Sequence, residues 1–263
     1  MQLISVVINT FNEEANIEDC IRSVQSFADE IVVCDMNSTD KTVEIARTAG
    51  ARISLANTEY CDFGRLRYAA VIEARNPWIL VIDADERLTV NLANKLREIA
   101  NTNQVDVVFL SSLYWYFGGW VRHGGFFTSN WPRFFRRSAY LERYVDKDEM
   151  VHRDLSILMD VANRLVLSKD YFIEHFAYPT IEKYVNKTIG MYARVEAEHM
   201  YKAGLRFSKR RLLLEPVKFF LSNYLRRQGY RDGMRGFILS VLFSAYRFAI
   251  WANLWHLSQT NEQ

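Results

Sequence analysis

Cysteine is scarce and unorganised in this chain of 263 residues. Its three thiols, Cys20, Cys34 and Cys61, are odd in number and have no metal-ligand spacing, which argues against a disulfide framework or a zinc knuckle and fits a reducing cytoplasm. The opening MQLISVV has neither a basic flank nor a small-residue cleavage site, so it predicts a first strand and not a signal peptide. The glycine patterns of a dinucleotide fold or a P-loop do not follow the predicted strands. Net charge is also small, at +2. What the chain does have is apolar content, 49%, enough to bury a substantial core and to exclude a disordered or fibrous class.

The first hundred residues switch between two hydrophobic periods, as parallel βα units do. Strands are predicted at Leu3 to Ile8, Ile31 to Cys34, Ala51 to Leu55 and Trp78 to Ile82. Helices are predicted at Ala15 to Phe27, from a cap at Thr39 or Asp40 to Ala49, at Arg65 to Ala74, and from a Thr89 cap over Val90 to Ala100. The expected fold class is α/β, a mostly parallel sheet with helices on both faces, followed by a C-terminal helical extension.

One stretch carries chemistry more than fold. Val81 to Glu86 reads VIDADE, so a buried strand delivers Asp83, Asp85 and Glu86 to the carboxyl edge of the sheet, where open α/β proteins place ligands. Hard oxygens there can hold a divalent cation that neutralises a diphosphate. A solvated acidic turn before the next helix fits the same residues. Two polar clusters lie at neighbouring strand ends: Thr10, Phe11, Asn12, Glu13 and Glu14 after the first strand, and Asp35 to Asp40 after the second. Asp35 can accept from a base or a ribose hydroxyl, while turn formation explains Ser38, Thr39 and Asp40 equally well.

Four segments, TFNEE at Thr10 to Glu14, CDMNSTDKT at Cys34 to Thr42, FGRLRYAA at Phe63 to Ala70 and WILVIDADER at Trp78 to Arg87, resemble glycosyltransferase family 2 in order and spacing. WVRHGGFF, WPRFFRR, the VHRD around His152 and HFAYPTIEKYVNK from His175 resemble its bacterial branch that includes lipopolysaccharide-core glucosyltransferases. The resemblance implies a GT-A fold, a nucleotide-sugar donor such as UDP-glucose, a divalent metal (Mn2+ or Mg2+) and inversion at the anomeric carbon. It places Thr10, Phe11, Asn12, Glu13 and Asp35 on the nucleotide, Asp83 and Ala84 at the ribose and diphosphate, and Asp85 on the metal. Arg65 and Arg67 are placed to reach the phosphates, although an exposed helix face accounts for them too. Two departures stand out: Met36 replaces a second acid after Asp35, and Arg153 follows the VH dipeptide where a glutamate is common in the branch.

Inversion needs a base that takes the acceptor hydroxyl's proton opposite the leaving nucleoside diphosphate. Glu149 is the favoured candidate, with Asp148 and Asp154 next; a surface acidic turn also accommodates DKDE. His175 can turn an imidazole to the metal, His152 can orient the acceptor, and His123 with Gly124 and Gly125 suggests a flexible rim. Trp120 and Trp131, within an aromatic stretch from Tyr114, offer flat faces to sugar rings.

Lys202 to Arg247 holds eleven Lys or Arg against Glu215 and Asp232, a local net of +9 that leaves the remainder at −7. Leu213, Val217, Phe220, Leu221 and Tyr224 form one helical stripe and Arg211, Glu215, Lys218, Ser222 and Arg226 the opposite one. The apolar run Gly236 to Leu257 approaches membrane length, yet Arg247 at a bilayer centre costs about 2.5–3.5 kcal/mol on insertion scales, so an interfacial or core-packed helix is expected. This reading assigns residues 1–198 to the transferase domain (1–112 for the nucleotide sugar, 113–198 for the acceptor) and 199–263 to a basic amphipathic extension. The expected partners are a nucleotide sugar, a glycan or lipid-linked acceptor and an anionic membrane surface at the inner face of the cytoplasmic membrane, with no nucleic acid; a homodimer is the other use for the apolar face. A catalytically inactive nucleotide-sugar-binding assembly subunit and a protein or peptide glycosyltransferase are the alternative functions.

Overall fold

The computed structural model describes residues 1–55, 63–127, 130–143 and 155–260, with backbone only at 55, 63–67 and 260. The chain begins with β1 (Ile4–Thr10), α1 (Ile17–Val24), β2 (Glu30–Asp35), α2 (Thr42–Thr48), β3 (Arg52–Leu55), α3 (Phe63–Glu73), β4 (Trp78–Asp83), β5 (Glu86–Leu88) and α4 (Val90–Thr102). It continues through β6 (Val107–Tyr116), β7 (Gly119–Val121), β8 (Trp131–Arg136), α5 (Arg137–Leu141), a 3-10 turn at Leu155–Leu158, β9 (Arg164–Val166) and β10 (Phe172–Tyr178). The strand order is β3-β2-β1-β4-β8-β6-β10-β5, with β7 and β9 beside β6.

β3, β2, β1 and β4 are parallel, as the alternation predicts, whereas β8 and β6 join antiparallel and make the sheet mixed. All seven residues of β1 are buried, which is why it reads as an unbroken apolar run. Helices cover both faces: Val6, Ile8 and Leu80 pack with Ile17, Ile21 and Leu96 on one side, and Val7, Ile79 and Val81 pack with Ala70, Val71 and Tyr140 on the other. α1 buries Ile17, Cys20, Ile21 and Val24, one face of a helix at its natural period. Thr89 accepts from the Leu92 N–H and starts α4 as expected. Asp40 acts from one position ahead of the α2 cap, accepting from the Thr42 N–H.

Two compact units result. The first comprises Met1–Ser112 and Ser129–His175, the second Leu113–Thr128 and Phe176–Gln263. In the second, α6 (Ile181–Tyr184) passes through π-helical turns into α7 (Ala193–Lys202), followed by α8 (Lys209–Leu221), which runs on to Arg226, and by α9 (Gly233–Thr260). The boundary expected between 198 and 199 falls inside α7, whose Ala193 and Ala197 pack against Ile250, Trp251 and Leu254 of α9. Small residues on one helix admit large ones on the other, so 176–198 belongs with the C-terminal helices.

Each α8 stripe is divided between covered and exposed residues, with Phe220 and Tyr224 packing on Phe237 while Lys218 and Arg226 stay exposed. Glu215 points inward to accept from Arg247 (3.0 Å) and the Trp251 indole (2.7 Å), while Leu213, Val217 and Leu221 are exposed. Arg247, which also meets Glu196 at 3.2 Å, has its charge answered inside the helical bundle. On the covered face of α8 the Glu215–Arg247 pair lies together with Leu212, Phe219 and Phe220, which pack on the same helices.

Candidate active site

At the carboxyl end of β1 and β2 two loops are laced together. Thr10 pairs in register with Asp35, and both are buried. Asp35 accepts from the Ser38 N–H (2.8 Å) and hydroxyl, Ser38 Oγ accepts from the Asn12 N–H (2.8 Å), and Asn12 Oδ1 accepts from the Thr39 N–H (2.8 Å). Asn12 and Asn37 have φ of 52° and 60°, the left-handed region that asparagine tolerates best after glycine. Glu13 accepts from the Asn16 side chain (2.6 Å). The side chains of Asn12, Glu13 and Asp35 therefore brace the loops, and Phe11, 44% exposed, is the one of this set that offers a free ring face.

β4 ends in the acidic turn. Asp83 N–H donates to Glu86 Oε2 (2.8 Å), Ala84 N–H donates to the Asn9 carbonyl (3.1 Å), and the Cys20 thiol lies 3.5 Å from the Asp83 carbonyl. Burial pushes that thiol well up from its usual range, so it is a packing group and no nucleophile. Glu86 is fully buried and starts β5, opposite His175 of β10 in register. Arg133 of β8 reaches both acids, at 3.1 Å from Glu86 and 3.6 Å from Asp83.

The pairing of β5 with β10 brings His175 Nε2 to 3.3 Å from Asp85 and Nδ1 to 3.5 Å from Glu86. Burial alone would depress this imidazole, but Asp85, Glu86 and Asp83 outweigh it and push its pKa up to about 9. Burial also raises Glu86, against the pull of Arg133. Asp85 and Glu86 flank His175 and Asp83 lies on the same turn, so negative charge gathers at the Asp85–His175 pair, and oxygen with imidazole suits Mn2+ or a similar ion. Among the described residues no three His, Cys, Asp or Glu side chains form a complete metal cage, so the pair would supply only part of a coordination shell.

Two residues beyond the sequence expectations belong to this edge, Arg133 and Asn9, and Glu86, expected there beside Asp83 and Asp85, is a buried hub. Asn9 is 4% exposed, and neither end of its carboxamide has a partner among the described residues. It sits on β1 between Cys34 and Asp83 in register. An orphaned buried amide costs about 1–3 kcal/mol, and such a group commonly marks a ligand position. Its signal in the sequence is a lone amide closing the run ISVVI.

The remaining expected residues divide by unit. Trp131 opens β8 in the first unit and is half-buried. Trp120 lies in the second, 5.0 Å from Trp115 and 5.4 Å from Phe176 between ring centroids, with part of its surface still accessible. His123 is no flexible rim: its backbone N–H and ring nitrogen both meet Asp232, at 2.7 and 2.8 Å. Asp148, Glu149, His152 and Asp154 lie outside the described residues, as do the side chains of Arg65 and Arg67.

This arrangement, an open α/β sheet with acids and a histidine at its carboxyl edge, has matching relatives. Residues 5–175 match the family described as Glycosyl transferase family 2. The chain belongs to that family. It is 30% identical to an uncharacterised glycosyltransferase of Rickettsia typhi over 98% of this chain and 88% of the relative. It is 27% identical to the lipopolysaccharide core biosynthesis glycosyltransferase LpsC of Rhizobium meliloti, over 96% and 92%. Among solved structures, S. aureus TarS 1-349 superposes with a TM-score of 0.54 at 17% identity, over 99% of this chain and 91% of that one. Glucosyl-3-phosphoglycerate synthase from Mycobacterium tuberculosis, in complex with Mn2+, UDP-glucose and phosphoglyceric acid, gives 0.53 at 18% identity over 79% and 81%. The fold of this family 2 member is thus the GT-A type, an α/β sheet with a C-terminal helical part.

Proposed function

We propose that this glycosyltransferase moves a hexose, glucose from UDP-glucose as the first choice, with inversion onto a hydroxyl of a lipopolysaccharide-core or other lipid-linked envelope glycan, at the inner face of the cytoplasmic membrane. The observation that carries the donor half is the 3.3 Å approach of His175 to Asp85 beside Asp83, above a buried Glu86–Arg133 pair. The LpsC relative supports the acceptor class, and the Mn2+ and UDP-glucose in the synthase complex support the donor and cofactor.

In this reading Phe11 stacks on the base and Asn9 supplies the hydrogen bonds that its orphaned carboxamide lacks. Thr10, Asn12, Glu13 and Asp35 hold the loop that carries them. Asp83 and the Ala84 backbone face the ribose and diphosphate, with Arg65 and Arg67 assigned to the phosphates. Asp85 and His175 would hold Mn2+ or Mg2+, which when bound supplies positive charge to the leaving diphosphate. Glu86 and Arg133 fix the acidic turn so that no reorganisation is needed during transfer. Glu149, with Asp148 and Asp154 as alternates, takes the proton of the acceptor hydroxyl as it attacks the anomeric carbon. His152, Trp120 and Trp131 hold the acceptor.

Titration calorimetry of the purified chain with UDP-glucose tests the donor half: manganese should be required, and Asp85→Asn should abolish binding. Donor affinity unchanged by chelation and by this substitution would overturn the metal assignment. Glu149→Gln should spare donor binding and slow transfer to envelope extracts by about 10²–10⁴-fold.

A further inference from the structure

The second unit shows an exposed apolar surface on α8 and α9 that carries none of the residues assigned to the site. On α9, Met234, Val241, Phe248 and Trp255 recur every seven residues and are all exposed, with Phe237 beside them. The row extends about 31 Å at 1.5 Å per residue. α8 continues it, because Leu213, Val217 and Leu221 are likewise exposed and Phe220 contacts Phe237 at 6.0 Å between ring centroids.

The exposed charges of the segment that carries this row have one sign. From Lys202 to Thr260 there are only two carboxylates. Glu215 is turned inward to Arg247 and Trp251, and Asp232 is spent on the Arg122 and His123 backbone N–H groups. Lys209, Arg210, Lys218 and Arg226 remain exposed on α8 and its continuation. Folding has therefore turned both acids of this segment inward while these four cations stay exposed.

We propose that the α8–α9 hairpin is a membrane-docking surface that lies in the plane of an anionic bilayer, its apolar row entering the headgroup boundary and its cations meeting lipid phosphates. It does not span the bilayer. The opposite face of α9 is covered by α7 and α8 and carries Arg247 with Glu196 and Glu215, charges that hydrocarbon would not accept. A second copy of the chain is disfavoured by the same charge pattern, since a two-fold pairing would set these cations against their own copies with no carboxylate between them.

Co-sedimentation of the full-length chain with vesicles tests the proposal without reference to catalysis. Binding to phosphatidylglycerol-rich vesicles is expected, with little to pure phosphatidylcholine and a decline as salt rises. Val241→Glu and Phe248→Glu, both at exposed positions, should abolish it while circular dichroism and UDP-glucose binding stay unchanged. Arg210→Glu with Lys218→Glu provides a second variant that leaves the apolar row intact and should weaken binding at least about tenfold. Four results would overturn the proposal: no binding by the wild type, binding indifferent to both kinds of substitution, a wild-type dimer that Val241→Glu separates, or cellular protein that resists alkaline carbonate extraction.

Discussion

Glu86 and Arg133 are 47 residues apart in the chain and form a buried pair only because β8 is laid next to β4. No local pattern announces such a pair, which is why VIDADE suggested three equivalent acids at the sheet edge when one of them is a hub beneath it. Asp83 and Asp85 stood out as candidate ligands because they follow an apolar strand at the sheet's carboxyl edge, and His175 because the family resemblance pointed to it. Asn9 was missed although it obeys the same logic, since one amide after five mostly apolar residues reads as the start of a loop. The pair makes a stability prediction. Arg133→Met takes the guanidinium from a fully buried carboxylate and should cost about 3–5 kcal/mol in urea unfolding. Glu86, already raised by burial, would then keep its proton in the folded state at pH values where the unfolded chain releases it. The variant's stability should consequently fall as pH rises above about 4.3, the ordinary glutamate value, and adding Glu86→Gln should restore most of the loss and flatten the pH dependence.

Elements built from one period were read well. The βα alternation, the Thr89 cap and the stop at Gly50, where φ is 87°, all follow from local spacing and backbone freedom. On α8 a helical stripe reveals that two faces differ and not which one a neighbour covers; Glu215 could be placed only once Arg247 and Trp251 were found opposite it. The hairpin also depends on a close approach that the sequence shows merely as scattered glycines. A Cβ on Gly236 would stand 1.9 Å from the Gly229 carbonyl oxygen, and one on Gly229 would stand 2.7 Å from that of Asn223. Gly236→Ala should thus cost about 1–3 kcal/mol through forced displacement of the turn before α9, measurable as a lowered unfolding midpoint with no change in UDP-glucose affinity at temperatures where the protein remains folded.

For the whole molecule, charge segregation was visible from residue counts, whereas its use was not, because which carboxylates face inward is a property of the assembled helices. The boundary expected at 198 rested on a change of hydrophobic pattern. The compact units instead follow core packing, with Ala193 and Ala197 committed to α9. A chain ending at 198 should expose the face of α7 that Ile250, Trp251 and Leu254 cover and accumulate as aggregate, and a soluble, monodisperse 1–198 fragment on size exclusion would contradict that packing. The chain passes between the units three times, entering the second through β6, leaving it near 129 and returning along β10. Neither half is a single cassette in the gene. A chimera that exchanges the second unit with that of a relative needs three junctions, two of them inside strands, so it should fold less readily than variants carrying point substitutions within the 113–127 and 176–260 segments.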